Sequence, residues 1–434
     1  MPTTPTTGRR GGPLAALLVA EVVSTTGSQM TLVALPWFVL VTTGSPLRTA
    51  LVVAADLVPM VLLAIPGGAL AGRLGARRTM LVSDLARAPL IGLVPLLHGL
   101  GLLSFPVLVG LVFCHGVFWP PYWASQGALL PELLGEDQQR LTRASALFQA
   151  VTRSTLLAGP ALGGVLIGWL GPANVLLLDA ASYLVAFLLV ARFIPASSLA
   201  PATEGVGGML VGVRVLLGDR LLRAWVLAAS LSQVGFQTLL LALPVLAFTR
   251  YGQDPRVAGL LLGAWGGGAL AGSLVALRLP GRLPPLTVGS LAGFGQALPL
   301  WLLVASLPAV AAVAVLGVAG LANGIRVPPL RAVTMLRIPP ALRVEAMTAE
   351  AMLPTAAGLL ALMAAGPALE AFGVAPVFAG VAAVATTAAV CFAAVALRPG
   401  RPPGHPAPSA AVEPRGVSPG EGAAGASSRS RRGR

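Results

Sequence analysis

Apolar runs long enough to cross a bilayer recur from one end of the chain to the other, separated by short polar connections. A hydrocarbon core about 30 Å thick is crossed by roughly 20 helical residues. In lipid every backbone N–H and C=O must find a partner within the protein, so such runs become membrane-spanning α-helices. On this ruler, spans fall near 14–40, 47–71, 79–98, 101–128, 144–170, 173–193, 222–248, 256–278, 285–305, 308–328, 346–371 and 374–397. The expected fold is an all-α membrane protein with twelve transmembrane helices. A mean hydropathy of +0.84 with only 10% charged residues leaves too little polar surface for a soluble protein.

All 29 basic residues are arginine. Without lysine there is no Walker lysine for a nucleotide phosphate and no Schiff-base lysine for a cofactor, so neither ATP nor any cofactor is expected. Cys114 and Cys391 fall inside apolar runs, and His98, His115 and His405 are too scattered for zinc, so no metal site is expected. No nucleophile with its base marks an enzyme. A net charge of +14 would point a soluble protein toward nucleic acid. Here the arginines crowd into short loops, where the charge reports orientation and no nucleic-acid partner is expected. Sixteen arginines, from Arg9 and Arg10 to Arg343, belong to the N-terminus and the loops on its side, whereas Arg48, Arg250 and Arg256 belong to the other. Both termini are thus expected in the cytoplasm. The composition, rich in Ala, Gly, Pro and Arg, fits a GC-rich bacterium and therefore a bacterial plasma membrane.

The chain also repeats itself at an offset of 208 residues: Ala34-Leu35-Pro36 returns as Ala242-Leu243-Pro244, Gln29 as Gln237, Gly44 as Gly252, Arg48 as Arg256, and Pro120-Pro121 as Pro328-Pro329. Two six-helix halves related by an axis along the membrane normal resemble the major facilitator arrangement, with a substrate site between the halves near the midplane. The expected organisation is a cytoplasmic N-terminus (1–13), a first half (14–193), a cytoplasmic linker (194–221), a second half (222–397) and a disordered cytoplasmic tail (398–434). Within the linker, Met209 to Leu217 with Arg214 and Arg220 reads as a short helix on the membrane surface.

The loop after the second span, from Gly68 through Gly72, Arg73, Gly75, Arg77 and Arg78, resembles the signature loop of major facilitators. That loop carries an Asp-Arg latch, and here Gly72 stands in place of the Asp. Arg73, Arg77 and Arg78 remain free to meet Asp84 or helix C-terminal carbonyls. Asp84 and Arg87, three residues apart, read as an internal ion pair or a gate. Gly159-Pro160-x-x-Gly163-Gly164 in the fifth span is similar to the antiporter motif of drug and proton exchangers, where proline frees a backbone hydrogen bond and glycines admit close packing. Together with Ala128 to Glu132 and Leu178-Asp179-Ala180, these motifs resemble the drug:proton antiporter branch that contains macrolide efflux proteins and the enterobactin exporter.

A charge at mid-bilayer costs about 2.5–3.5 kcal/mol, so an intramembrane carboxyl must be paired, wetted or neutralised by a proton. Glu21 shares a face of the first span with Ser24, Thr25, Ser28 and Thr31. Asp56 lies in the second span without a local partner. Both are candidates for proton coupling. In the fourth span His115, Trp119, Tyr122 and Gln126 form a stripe at spacings of four, three and four. With Ser24 and Ser28, with Gln233 and Gln237 of the seventh span, and with Asn323 of the tenth, they are the expected walls of the substrate cavity.

The resemblance implies a monomeric secondary transporter that exports a small amphipathic compound, drug-, macrolide- or siderophore-like, in exchange for protons. An importer, a uniporter or a transport-inactive sensor on the same fold are the alternatives.

Overall fold

The computed structural model describes residues 12–134, 138–195, 208–278, 284–339 and 342–396. Arg9, Arg10, Arg282, most of the linker and the tail from residue 398 lie outside the described residues, as do the side chains of Ala128, Pro131, Glu132, Arg140, Arg143, Arg153 and Arg343. The first eight helices are α1 (Gly12–Thr43), α2 (Pro46–Leu62), α3 (Ala64–Leu74), α4 (Ala76–Gly99), α5 (Phe105–Val117), α6 (Trp119–Leu134), α7 (Gln138–Leu170) and α8 (Pro172–Phe193). A short α9 (Gly208–Gly218) occupies the place where the sequence puts a linker helix, and α10 (Arg220–Arg250), α11 (Pro255–Arg278) and α12 (Pro285–Leu300) follow. A 3-10 turn (Trp301–Val304) then leads to α13 (Ala309–Arg337), α14 (Arg343–Phe372) and α15 (Val374–Ala396).

Among the described residues ten helices are long and apolar enough to cross a membrane, and α2 with Pro66–Leu74 of α3 makes an eleventh, bent by 67°. At the expected fifth span, α7 runs for 33 residues, of which Ala158–Leu170 forms a shorter apolar stretch. Proline chemistry explains where two spans break. Pro66 has no N–H to return to Leu62 at the α2–α3 bend, and Pro120 and Pro121 withhold theirs just after the α5–α6 break at Phe118.

The repeat reaches the backbone. Gly44 ends α1 at φ 65° and Gly252 follows α10 at φ 67°, left-handed conformations that glycine adopts without a Cβ clash. Both proline equivalents, Pro36 and Pro244, lie buried inside their helices.

Helices α1–α8 pack mainly among themselves, as do α10–α15. The two bundles meet chiefly through α7 against α11 and α2 against α14. They share one apolar core at the end that carries the α1–α2 and α10–α11 loops. There Val33 to Leu40 and Ala50 to Ala55 join Leu239 to Ala247 and Leu261, and Trp37 meets Phe248 edge-on at 5.9 Å. At the opposite end the cores are separate: Leu17, Met80, Tyr122 and Leu129 in the first bundle, Leu216, Leu222, Trp225 and Phe392 in the second. Among the described residues the bundles therefore share an apolar core at one end and keep separate cores at the other, the parted end.

The α7–α11 crossing brings backbones into contact. A Cβ on Gly164 would lie 2.7 Å from the Pro255 carbonyl oxygen and 2.8 Å from Gly259 Cα, and one on Gly259 would lie 2.6 Å from the Pro160 carbonyl oxygen. Gly164→Leu is therefore expected to destabilise the protein by about 1–3 kcal/mol through overpacking. Gly110→Ala, at a helical glycine with open space around it, is expected to leave stability unchanged or raise it by about 0.5–1 kcal/mol. Thermal unfolding of the two variants in the same detergent checks both.

Candidate functional site

The first bundle holds a polar cluster in its interior, built from α1, α2, α4, α5, α6 and α8. Its centre is Arg87 on α4, 1% exposed. The guanidinium lies 4.3 Å from the ring centroid of Trp119, 5.6 Å from that of Tyr122 and 4.2 Å from that of Tyr183. Aromatic faces carry negative quadrupole charge and hold a desolvated cation where water is absent. Nη2 of Arg87 also donates to the Tyr183 hydroxyl at 2.6 Å. The planar guanidinium, which stacks and donates in one plane, suits such a cage better than an ammonium.

Tyr183 is the crossroads. Besides the bond from Arg87, its oxygen lies 2.8 Å from Ser28 Oγ on α1 and 3.3 Å from His115 Nε2 on α5. His115 Nδ1 in turn meets Asp56 Oδ1 on α2 at 2.9 Å, the His115 side chain being 5% and the Asp56 side chain 29% exposed. This pairing is possible because Gly116 lies directly against the Asp56 backbone, where any Cβ would collide. A second strand of the cluster joins α1 to α6 and α8. Thr25 Oγ1 donates to Glu21 Oε1 at 2.7 Å and Gln126 Nε2 to Glu21 Oε2 at 2.5 Å. Thr31 Oγ1 donates to Asp179 Oδ2 at 2.6 Å.

The Asp84–Arg87 ion pair read from sequence is not formed. Both Asp84 carboxyl oxygens are buried without a hydrogen-bond partner, and Arg87 Nε likewise lacks one. The arginine turns to the aromatic faces and Tyr183 instead, since three rings and a hydroxyl are positioned around it. In the signature loop, Gly75 joins α3 to α4 at φ 82°. Arg77 Nη2 donates to the Ala191 carbonyl near the end of α8 at 2.8 Å, while Arg73 and Arg78 are exposed.

Between the bundles lies a cavity of about 240 Å³. Phe236, Trp265 and several leucines make its wall, with Gln29, Pro160 and Asn323 as its polar and motif residues. The buried Oε1 of Gln29 has no hydrogen-bond partner. Glycines of the antiporter-like motif face both neighbours of α7: Gly159 abuts Gln29, Gly163 abuts Met30, and Gly164 abuts α11.

The sequence-derived cavity residues are thus divided. Asn323 lines this cavity and donates to Gln296 Oε1 at 3.2 Å. Ser24, Ser28, His115, Trp119, Tyr122 and Gln126 belong to the polar cluster of the first bundle, and Gln233 and Gln237 lie against Gly358 of α14. A four-residue spacing identifies a shared helix face but not what that face meets, and the break at Phe118 turns the stripe inward. Residues absent from the sequence reading are Tyr183, Gln29 as a cavity residue, Trp265 and Arg326. Arg326 is buried and donates to Gln296 Oε1 at 3.2 Å and Ser232 Oγ at 3.0 Å. Its signal was available, because it is an arginine inside an apolar run that belongs to no loop. Glu350 accepts from Trp225 Nε1 at 2.8 Å.

Comparison with known proteins places this geometry. The sequence profile of the transmembrane secretion effectors matches residues 8–399. Multidrug efflux pump Tap of Mycobacterium tuberculosis is 27% identical over 405 residues, covering 89% of this chain and 93% of the relative. Multidrug efflux pump Tap of Mycolicibacterium fortuitum is 28% identical over 382 residues, covering 85% and 91%. Among solved structures, a bacterial homologue of the iron transporter ferroportin in an inward-facing state superposes with a TM-score of 0.73 at 16% identity, over 89% of this chain and 99% of that one. A bacterial homologue of the lysosomal transporter Spinster gives 0.71 at 13% identity, over 90% and 98%. The structural likenesses carry the fold, and the profile carries the family: the chain is a multi-pass membrane protein that belongs to the transmembrane secretion effectors of the major facilitator superfamily.

Proposed function

We propose that this chain is a twelve-span exporter of small amphipathic compounds, working as a monomer in a bacterial plasma membrane by alternating access and in exchange for protons. The observation that carries the coupling is a charge imbalance. Glu21, Asp84 and Asp179 are 3%, 0% and 0% exposed, and Asp56 joins them through His115. Among the described residues of that cluster only Arg87 and His115 can oppose them with positive charge. Uncompensated buried carboxylates are too costly to persist, so the interior holds protons that a cycle can exchange. Efflux as the direction is supported by likeness to the Tap pumps.

With both termini in the cytoplasm, as the arginine distribution implies, the parted end opens inward and the shared core seals the outside. A compound enters from the cytoplasm and reaches the cavity at Gln29, Trp265 and Asn323. Rings and leucines take its apolar body, and the two amides orient it. The cavity volume falls below the roughly 300–1,000 Å³ of drug-sized sites, so this conformation suits a small ligand or one portion of a larger one. One proton moving down 100 mV supplies about 2.3 kcal/mol, enough for roughly a fiftyfold gradient.

Dye and macrolide accumulation in cells tests the reading. Cells with the wild type are expected to exclude at least one compound severalfold, and an uncoupler, Glu21→Gln or Asp56→Asn to restore accumulation. Exclusion that survives the uncoupler and both substitutions defeats proton coupling, and no exclusion of any compound by membrane-resident protein defeats export. The cavity has its own signature. Trp265→Ala is expected to raise the half-saturating concentration of an excluded dye about tenfold, the loss of roughly 1.4 kcal/mol of ring contact, with the maximal efflux rate retained.

A further inference from the structure

We propose that the cavity between the bundles selects amphipathic ligands that present a hydrogen-bond donor, N–H or O–H, and that Asn323 Oδ1 is the acceptor, fixed by Arg326 acting through Gln296. The part this selection plays in export rests on the transport reading above; the orientation of the amide rests on the geometry alone.

The two ends of a side-chain amide have nearly the same shape, so only the chemistry of their neighbours decides which end points where. Arg326, buried on α13, makes the first decision. A guanidinium has donors and no acceptor, so the Gln296 atom that lies 3.2 Å from Arg326 Nη1 must be the oxygen, Oε1. Turned over, Gln296 would set an NH2 group against an N–H. Asn323 then has no choice either: its atom 3.2 Å from the same Oε1 must be the donor, Nδ2, because a carbonyl oxygen there would face another. Gln296 belongs to α12 and is not part of the cavity wall, whereas Asn323 is. Nδ2 is thereby drawn toward α12. The end left to the cavity is Oδ1, which among the described residues is neither hydrogen-bonded nor enclosed.

Both ends of this chain are anchored. Arg326 Nη2 donates to Ser232 Oγ at 3.0 Å, which ties the guanidinium to α10 as well as α12. The backbone that carries Asn323 is seated on α11, with Gly320 directly against the Trp265 backbone and Gly324 directly against that of Ala269, where any Cβ would collide. Trp265 and Ala269 both line the cavity. Gln29 is the contrast. Its Oε1 is enclosed without a partner, and among the described residues no hydrogen bond fixes its amide, which is free to turn toward a donor or an acceptor.

The cavity therefore offers one fixed acceptor, one adaptable amide and an otherwise apolar wall without a charged side chain. A donor that leaves water for such a place must find an acceptor or forfeit its hydrogen bond, and Oδ1 supplies it. An anion or a bare carbonyl brought to the same oxygen is repelled. The ligand class is an apolar body bearing an amine, amide or hydroxyl hydrogen, neutral or cationic. Arg326 touches no ligand and is a positioning residue.

Thionine and methylene blue separate donor recognition from shape, since both are flat cationic phenothiazinium dyes and only thionine carries N–H groups, where methylene blue carries N-methyl groups. The methyl groups make methylene blue the more apolar dye, so an apolar cavity alone would favour it. Equilibrium dialysis against the full chain in lipid nanodiscs gives both dissociation constants. The wild type is expected to bind thionine about fivefold more tightly, the worth of one neutral hydrogen bond. Asn323→Leu, similar in shape but without the acceptor, is expected to abolish the preference. Arg326→Met, which frees both amides to turn, is expected to reduce it, and Arg326→Lys, which keeps a donor beside Gln296, to retain it. An arginine with a merely structural role would weaken both dyes together. A wild type that lacks the preference, a preference that survives Asn323→Leu, or folded protein that binds neither dye overturns the proposal, and a preference unchanged in Arg326→Met overturns the part given to Arg326. The expected preferences in a protein that extrudes neither dye from cells uphold the donor site and remove the export reading alone.

Discussion

A guanidinium enclosed in a low-dielectric bundle has to be solvated by the protein itself, and the first bundle is arranged around that requirement. Arg87 sits among the rings of Trp119, Tyr122 and Tyr183, so α4, α6 and α8 converge on it. Tyr183 then reaches α1 through Ser28 and α5 through His115, and His115 reaches α2 through Asp56. Helices in lipid gain little from apolar burial against one another, because the tails are as apolar as leucine. Their mutual positions have to come from close packing and from polar contacts of this kind. The glycines supply the packing: Gly27 leaves room for Asp179 and Ser182, and Gly116 for the Asp56 backbone.

The second bundle solves a similar problem with different chemistry. Arg326 is satisfied by the amide of Gln296 and the hydroxyl of Ser232, with Trp225 5.9 Å away. Trp225 spends its own N–H on Glu350. One bundle therefore concentrates four carboxyls and a histidine near its arginine, while the other surrounds its arginine with neutral donors and acceptors. The backbone repeat survives at Gly44 and Gly252, yet the interior chemistry has diverged. This division, titratable groups on one side and fixed polar contacts on the other, puts the groups that the proposed proton exchange would use in the first bundle.

Much of the helix layout was legible in the sequence because it follows from a single length scale. A hydrophobic run of bilayer length has no alternative to a helix, and the 208-residue offset marks equivalent turns without any structural information. Side-chain partnerships were not legible, for identifiable reasons. Asp84 and Arg87 have the spacing of an ion pair, but spacing along one helix says nothing of the three rings brought up by other helices. His115, Trp119 and Tyr122 have the spacing of a cavity stripe, but the kink before Pro120 and Pro121 decides which way that stripe faces. Tyr183 carries no motif at all, since its importance lies in being reached by α1, α4 and α5 together. Gln29 was visible only as half of a repeated pair.

The unequal ends of the molecule give temperature a part in the proposed cycle. The joined end is held by apolar contact across the bundles, with Trp37, Phe248 and the surrounding leucines and valines removed from their own environment of lipid and water. Wherever that contact excludes water, its strength fades on cooling. The proposed alternating cycle would exchange this seal for one at the other end, where Arg73 and Arg78 are exposed and where polar and ionic contacts respond to temperature differently. In the proposed alternating cycle, cooling would therefore weaken the joined end relative to the other without any ligand.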